Sequence, residues 1–287
     1  ISTTNIGPYV ISVRAPEFEV GSESEQAAKM SCQLAAGCEV NGKKVAFGEY
    51  YALEANRQWS AAVEFISNGQ FIVVNPITEM AKALGYTMYI NDGVDADLNK
   101  TSTPAPNYYS NYGITKGNSQ TAAVFGLGDI LSKEPANLAR LHELNINGST
   151  SIEESIRYGA LVAAWQQLEL EYNNNALAGD DSFQEVLISQ YLNNQGQLYQ
   201  AAALDNQILS LKDWYQAALD NLKAVKGYYK NLNKTMPNEI NLVIQRFETE
   251  ISNLVDGTLT TAKPTIPVGL SFRSFLMSAA GTCPSIR

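Results

Sequence analysis

The most regular pattern in the chain is a pair of apolar seams in its second half. The first alternates spacings of four and three residues at Leu204, Ile208, Leu211, Tyr215, Ala218, Leu222, Val225 and Tyr229. The second repeats those spacings at Ile240, Ile244, Phe247, Ile251 and Leu254. A period of about 3.5 residues is typical of helices that pack against other helices along one side. The pattern therefore predicts two amphipathic helices.

A short break separates the two seams. Residues 231–235 interrupt the pattern, and Pro237 is suited to the first position of a new helix, where a missing N–H costs little. Two matching seams joined by so short a turn predict an antiparallel pair. The predicted fold is mainly α, with α+β as the alternative, and has a long antiparallel helical hairpin or bundle in its C-terminal half.

The first 98 residues have a different character and predict a small mixed α/β region. Short β-branched or aromatic runs bounded by Gly or Pro predict strands at 9–13, 70–74 and 86–90. Apolar or small residues at helical spacing predict helices at 24–36, 49–66 and 77–84.

The remaining boundaries follow from changes in composition. Residues 99–120 combine Pro, Ser, Asn and Tyr without an apolar period and predict a linker or long loop. A helical bundle is predicted over 121–256, and an extended tail with one short amphipathic segment over 257–287. Two short apolar runs, 122–128 and 272–280, are candidates either for core packing or for membrane contact.

Composition narrows the class of protein. The 287 residues include 17% charged and 45% hydrophobic residues, which is typical of a globular chain with few charges. The net charge of −9 and the lack of a dense Lys/Arg cluster argue against a nucleic-acid partner. No apolar run reaches the length of a membrane-spanning helix. The chain begins at Ile1, and together with the composition this favours a secreted or extracytoplasmic protein whose leader has been removed.

Cysteine spacing predicts a disulfide. Cys32 and Cys38 are six residues apart, too far for a redox CxxC pair, and the single histidine, His142, cannot complete a zinc site. A bridge between Cys32 and Cys38 is the leading interpretation. Unpaired thiols and a bridge from Cys283 to one of the other two remain alternatives.

Few residues suggest a cofactor or a reaction. Asp95, Asp97 and Asn99 place oxygen atoms at alternate positions, as in a Ca²⁺ loop, although the rest of an EF-hand is missing and an Asp/Asn turn is the favoured explanation. No other cofactor is indicated. His142 lacks a nucleophile motif. Neighbouring acids such as 153/154 and 169/171 point in different directions on a helix and do not form ready acid/base pairs.

Three functions from different classes remain. The first is an exported, non-enzymatic interaction or assembly protein, with Tyr108, Tyr109 and Tyr112 as a contact surface for a protein partner or a second copy. The second is a helical pore-forming toxin or toxin component, the only one of the three that involves a membrane. The third is an extracellular hydrolase of carboxylate mechanism, with Trp59, Trp165 and Trp214 as candidates for stacking a sugar polymer. The predicted helices favour a packing role for Trp165 and Trp214.

Overall fold

The computed structural model describes residues 8–14, 29–40, 42–53, 57–92, 111–144, 152–174, 182–201 and 209–260. About half of these residues are helical, in seven helices, and the strands of the described part form three small antiparallel sheets. The prediction of a mainly helical or α+β fold is confirmed at this level.

The elements follow one another in two blocks. The strand region consists of β1 (Tyr9–Arg14), β2 (Lys29–Ser31), β3 (Cys38–Val40), β4 (Lys43–Val45), β5 (Tyr50–Ala52) and β6 (Gln58–Val63). The helical body consists of α1 (Pro76–Asp92), α2 (Asn111–Val124), a 3-10 helix (Leu138–Glu143), α3 (Ile152–Asn173), α4 (Phe183–Asn193), α5 (Leu211–Asn231) and α6 (Glu239–Ser252).

Each described sheet has two strands. β1 pairs with β6, β2 with β5 and β3 with β4, all antiparallel. The strand predicted at 9–13 is confirmed as β1. The helix predicted over 49–66 is wrong, because this segment contains β5 and β6 instead. β6 is buried along almost its whole length, between β1 and α1, and a short apolar run of this kind has no period that separates strand from helix.

Other local predictions in this part also change. Residues 29–31 of the helix predicted over 24–36 form β2, and residues 24–28 lie outside the described chain. The strand predicted at 70–74 is wrong: this segment joins none of the described sheets, and the Val73 N–H donates to the Leu131 carbonyl at 2.8 Å. The helix predicted at 77–84 is confirmed as part of α1, which continues through the strand predicted at 86–90.

Glycines allow α1 and α2 to approach closely. A Cβ on Gly85 would lie 2.8 Å from the Gly113 carbonyl oxygen, and one on Gly117 would lie 2.5 Å from the Ala81 oxygen. The linker predicted over 99–120 is therefore wrong over its second half, where residues 111–120 belong to α2. Gly113 and Gly117, which lie within the segment predicted as a loop, are the residues that let the two helix backbones approach.

The two predicted seams line the buried faces of α5 and α6. In α5 the buried seam residues are Leu211, Tyr215, Ala218, Leu222, Val225 and Tyr229, and in α6 they are Ile240, Ile244 and Phe247. Leu204 and Ile208 lie outside the described residues. A capping box between Ser210 and Asp213 starts α5. Pro237 is not the first residue of α6, which begins at Glu239 after Asn238.

Side-chain amides fasten the strand region to the helical body. Gln166 of α3 accepts from the Gln33 N–H at 2.9 Å and donates to the Ser31 carbonyl at 3.1 Å. Asn221 of α5 accepts from the Ala35 N–H at 3.0 Å and donates to the Gln33 carbonyl at 2.9 Å. The helices thus supply hydrogen bonds that a neighbouring strand would otherwise give.

Candidate functional site

Aromatic and cationic side chains from three separate segments meet at the surface. The rings of Phe47 and Tyr228 pack edge to face with centroids 5.0 Å apart. The guanidinium of Arg140 lies 5.9 Å from the centre of the Tyr50 ring. Tyr50 is 54% exposed and Tyr228 is 38% exposed, so both rings contact solvent. We refer to this surface as the aromatic patch, which consists of Phe47, Tyr50, Arg140 and Tyr228.

The aromatic patch rests on a tightly fitted support. Gly48, between the two strand-region aromatics, has φ +84°, and a Cβ there would lie 2.8 Å from the Cβ of Ala139. This close approach joins the β4–β5 turn to the 3-10 helix that carries Arg140. Beneath the patch, the hydroxyl of buried Tyr229 accepts from the Leu141 N–H at 2.8 Å. Desolvation by burial raises the pKa of the Tyr229 hydroxyl above its ordinary value.

The composition of the aromatic patch is typical of protein contact surfaces. Tyr and Arg are enriched among residues that contribute most to binding, because each combines a large contact area with a polar group. Aromatic rings also lose little conformational entropy on binding. Sequence reasoning missed this site because its members lie at 47, 50, 140 and 228, and only their exposure and proximity in the fold reveal it.

The predicted binding tyrosines are only partly described. Tyr112 lies near the start of α2 and is 39% exposed. Tyr108 and Tyr109 lie outside the described residues, so their proximity to Tyr112 stays a prediction. The candidate calcium ligands Asp95, Asp97 and Asn99 also lie outside them. Within the described ranges, no cluster of His, Cys, Asp and Glu is arranged to hold a metal ion.

A disulfide joins Cys32 and Cys38, with the Cα atoms 5.7 Å apart. The Cys32 N–H donates to the Glu49 carbonyl at 2.9 Å, which ties the bridged segment to the residue preceding β5. Cys283 lies outside the described residues.

The acidic residues considered for catalysis bind separate partners. Glu153 pairs with Arg246 at 3.5 Å, and Glu154 forms an ion pair with Lys133. Farther along α3, Glu169 pairs with Arg57, and Glu171 accepts from the Gln167 amide at 2.6 Å. The arrangement orients each carboxylate toward a donor in or beside α3.

The three tryptophans are core residues. Trp59, Trp165 and Trp214 are each at most 3% exposed. The Trp165 ring packs edge to face on Trp59 at 5.1 Å and lies 5.8 Å from Trp214. The role of these rings as sugar-stacking platforms is therefore wrong, since the ring faces pack against core neighbours and are not exposed for a sugar ring to stack on.

The apolar run 122–128 also belongs to the core. Four of its side chains are buried: Ala122, Val124, Phe125 and Leu127. Among the described helices, none combines the length and apolar character needed to cross a membrane. The run 272–280 lies outside the described residues.

One buried charge was also missed from the sequence. Arg157 of α3 is fully buried, and its Nη2 donates to the Phe125 carbonyl at 2.9 Å and lies 2.8 Å from a carboxylate oxygen of Glu250. Its guanidinium also lies 4.6 Å from the centre of the Phe247 ring. Arg157 thus links α3 to α6 and to the end of α2, and its partners indicate a structural role.

Comparison of the chain with protein-family models, with curated proteins and with solved structures gave no match.

Proposed function

We propose that this chain is an exported, non-enzymatic interaction or assembly protein that binds a protein partner, or a second copy of itself, through the aromatic patch. The observation that carries the proposal is the exposure of Tyr50 and Tyr228 beside Phe47 and Arg140 on a tightly packed support. Exposed rings held in place by their neighbours bind at low entropic cost.

A helical hairpin is the proposed rigid base of this surface. Lys223 pairs with Glu248 at 2.8 Å, and Lys226 donates to Asn241 at 2.7 Å. Because the residue numbers rise along α5 while they fall along α6, these contacts support an antiparallel arrangement. Tyr228 lies near the end of α5, so the hairpin would present it at its tip.

The proposed compartment is extracytoplasmic. The bridge between Cys32 and Cys38 supports it, since structural disulfides persist mainly in oxidising compartments. The low content of charged residues agrees with this location.

Site-specific photo-crosslinking tests the proposal. Replacing Tyr50 with p-benzoylphenylalanine in the full chain should give a discrete protein adduct in the extracytoplasmic fraction of the source cells. The same group in place of Leu242, which is 52% exposed on α6, is the control. Equal adducts from both positions, or none from position 50, would contradict the proposal. Adducts that form only with lipid vesicles would favour the toxin alternative.

A further inference from the structure

A groove lies where the strand region meets the helical body. Its volume is about 270 Å³. Apolar side chains dominate its walls: Val13, Met30, Leu53, Trp59, Val73 and Val162. It involves neither Phe47, Tyr50, Arg140 nor Tyr228, so it is separate from the aromatic patch. Pockets that hold small ligands are mostly apolar with a few directed polar groups.

The groove has one charged residue in its lining, Lys29 of β2. Lys29 is exposed, and it forms no ion pair with any residue in the described ranges. The neighbouring cation Arg57 is already paired with Glu169. As far as the described residues show, an exposed cation without an ion-pair partner therefore lines an apolar groove in a chain whose net charge is −9.

Two further residues of the lining have a buried polar atom that finds no hydrogen-bond partner among the described residues: the hydroxyl oxygen of Ser31 and the indole nitrogen of Trp59. Ser31 follows Lys29 by two positions in β2, so both side chains lie on the same face of the strand. Leaving such atoms unpaired costs free energy, and a ligand that supplies an acceptor recovers it.

Other polar groups of the groove are already engaged. The Gln166 amide bonds Gln33, Ser31 and Tyr51, and the Asn75 amide bonds Ile77 and Tyr158. Within the described part of the lining, the groups without a partner are thus an ammonium, a hydroxyl and an indole N–H, and each of them can donate a hydrogen bond. Their natural complement is an acceptor with negative charge.

We infer that this groove binds a small amphipathic carboxylate, with its apolar body between Val13, Leu53 and Val162 and its carboxylate at Lys29. The charge of Lys29 complements the carboxylate, and Ser31 and Trp59 supply neutral donors in the same lining. The volume is near the lower end of the range for ligand pockets, about 300–1,000 Å³, which suits a short aliphatic chain.

Calorimetric titration of the full chain with octanoate, below its micellar concentration, tests the inference. Octanoate should bind, and octan-1-ol, which has the same chain without the charge, should bind about tenfold more weakly, since a charge-assisted hydrogen bond contributes more than a neutral one. Octyltrimethylammonium should bind more weakly still, because its charge repels Lys29.

Two variants locate the site. K29M should reduce octanoate affinity about tenfold while leaving that for octan-1-ol unchanged. K212M, which changes an exposed lysine of α5 outside the groove, is the matched control and should retain full affinity. V162W should fill the groove and abolish binding of both ligands, with near-ultraviolet circular dichroism confirming that the variant is folded.

Absence of octanoate binding would overturn the inference, as would equal affinity for octanoate and octan-1-ol. Unchanged octanoate affinity in K29M would also overturn it. Loss of octanoate binding in K212M would overturn it too, since it would show that the overall surface charge, and not Lys29 at the groove, determines the octanoate affinity. Because none of these changes touches the aromatic patch, the outcome is independent of the proposed protein-binding function.

Discussion

The helical body and the strand region are stabilised in different ways. In α5 the backbone hydrogen bonds form within the helix, a capping box starts it, and its regular seam is buried. Each described sheet of the strand region has only two strands, and a two-stranded sheet is marginally stable alone. The strand region therefore depends on the disulfide and on amide groups that the helices supply. The aromatic patch combines residues of both regions, so its geometry requires that they stay docked.

Truncation of Trp165 should destabilise the strand region and the helical body together. Its ring contacts Trp59 in β6, Phe183 in α4 and Trp214 in α5. We expect Trp165→Ala to lower the free energy of unfolding by about 3–5 kcal/mol, as is usual when a large buried aromatic is removed. Urea unfolding followed by far-ultraviolet circular dichroism measures this loss. A loss below about 1 kcal/mol would show that the two regions do not share this core.

Removal of the disulfide should destabilise the strand region more than the helical body. With Cys32 and Cys38 both changed to Ala, we expect a loss of about 2 kcal/mol, because the bridge closes a short loop. Hydrogen exchange should accelerate mainly in residues 29–53, while α3 and α5 keep their protection. Uniform acceleration in both regions would contradict the difference drawn between them.

Loss of a single amide should have a smaller effect at the same junction. Gln166→Leu leaves the Gln33 N–H and the Ser31 carbonyl without their side-chain partner. We expect unfolding to become easier by about 1–2 kcal/mol. The neighbouring Gln167→Leu, which removes an exposed contact with Glu171, is the control and should change stability by less than about 0.5 kcal/mol. Equal effects of the two variants would show that the amide does not fasten the strands.

The smallest expected change in stability concerns Glu64, which directly follows β6. This change should depend on pH. Its carboxylate accepts from the Thr115 hydroxyl of α2, and desolvation raises its pKa above the ordinary value of 4.5. Below pH 4.5, Glu64 is protonated in both the folded and the unfolded state. As the pH rises from it through the raised pKa, the folded state holds the extra proton, so stability falls.

Glu64→Gln should therefore raise the melting temperature at pH 7 and leave it unchanged at pH 4. Thermal unfolding of both proteins across this range measures the difference. A variant that is less stable than the parent at pH 7 would show that the Glu64 charge contributes favourably to the junction of β6 and α2.

The sequence predicts those elements whose pattern is local. The seams of α5 and α6 and the apolar run of β1 each lie within one continuous segment. The predictions for β6 and α2 are wrong because the secondary structure of each segment depends on a distant partner. Trp59 and its neighbours become a strand by pairing with β1, and Gly113 and Gly117 become helical where α1 allows backbone contact. The aromatic patch cannot be predicted from the sequence for the same reason, because it forms only when residues 47–50, 140 and 228 come together in the fold.

The central claim is that residues of both regions act as one protein-binding surface. A double-mutant cycle of Tyr50→Ser and Tyr228→Ser, measured by the affinity for the protein captured at position 50, tests it most directly. We predict that each change weakens binding by more than about 1 kcal/mol and that the two couple by at least about 0.5 kcal/mol, while Leu242→Ser has no effect. Unchanged affinity in both single variants would contradict the claim.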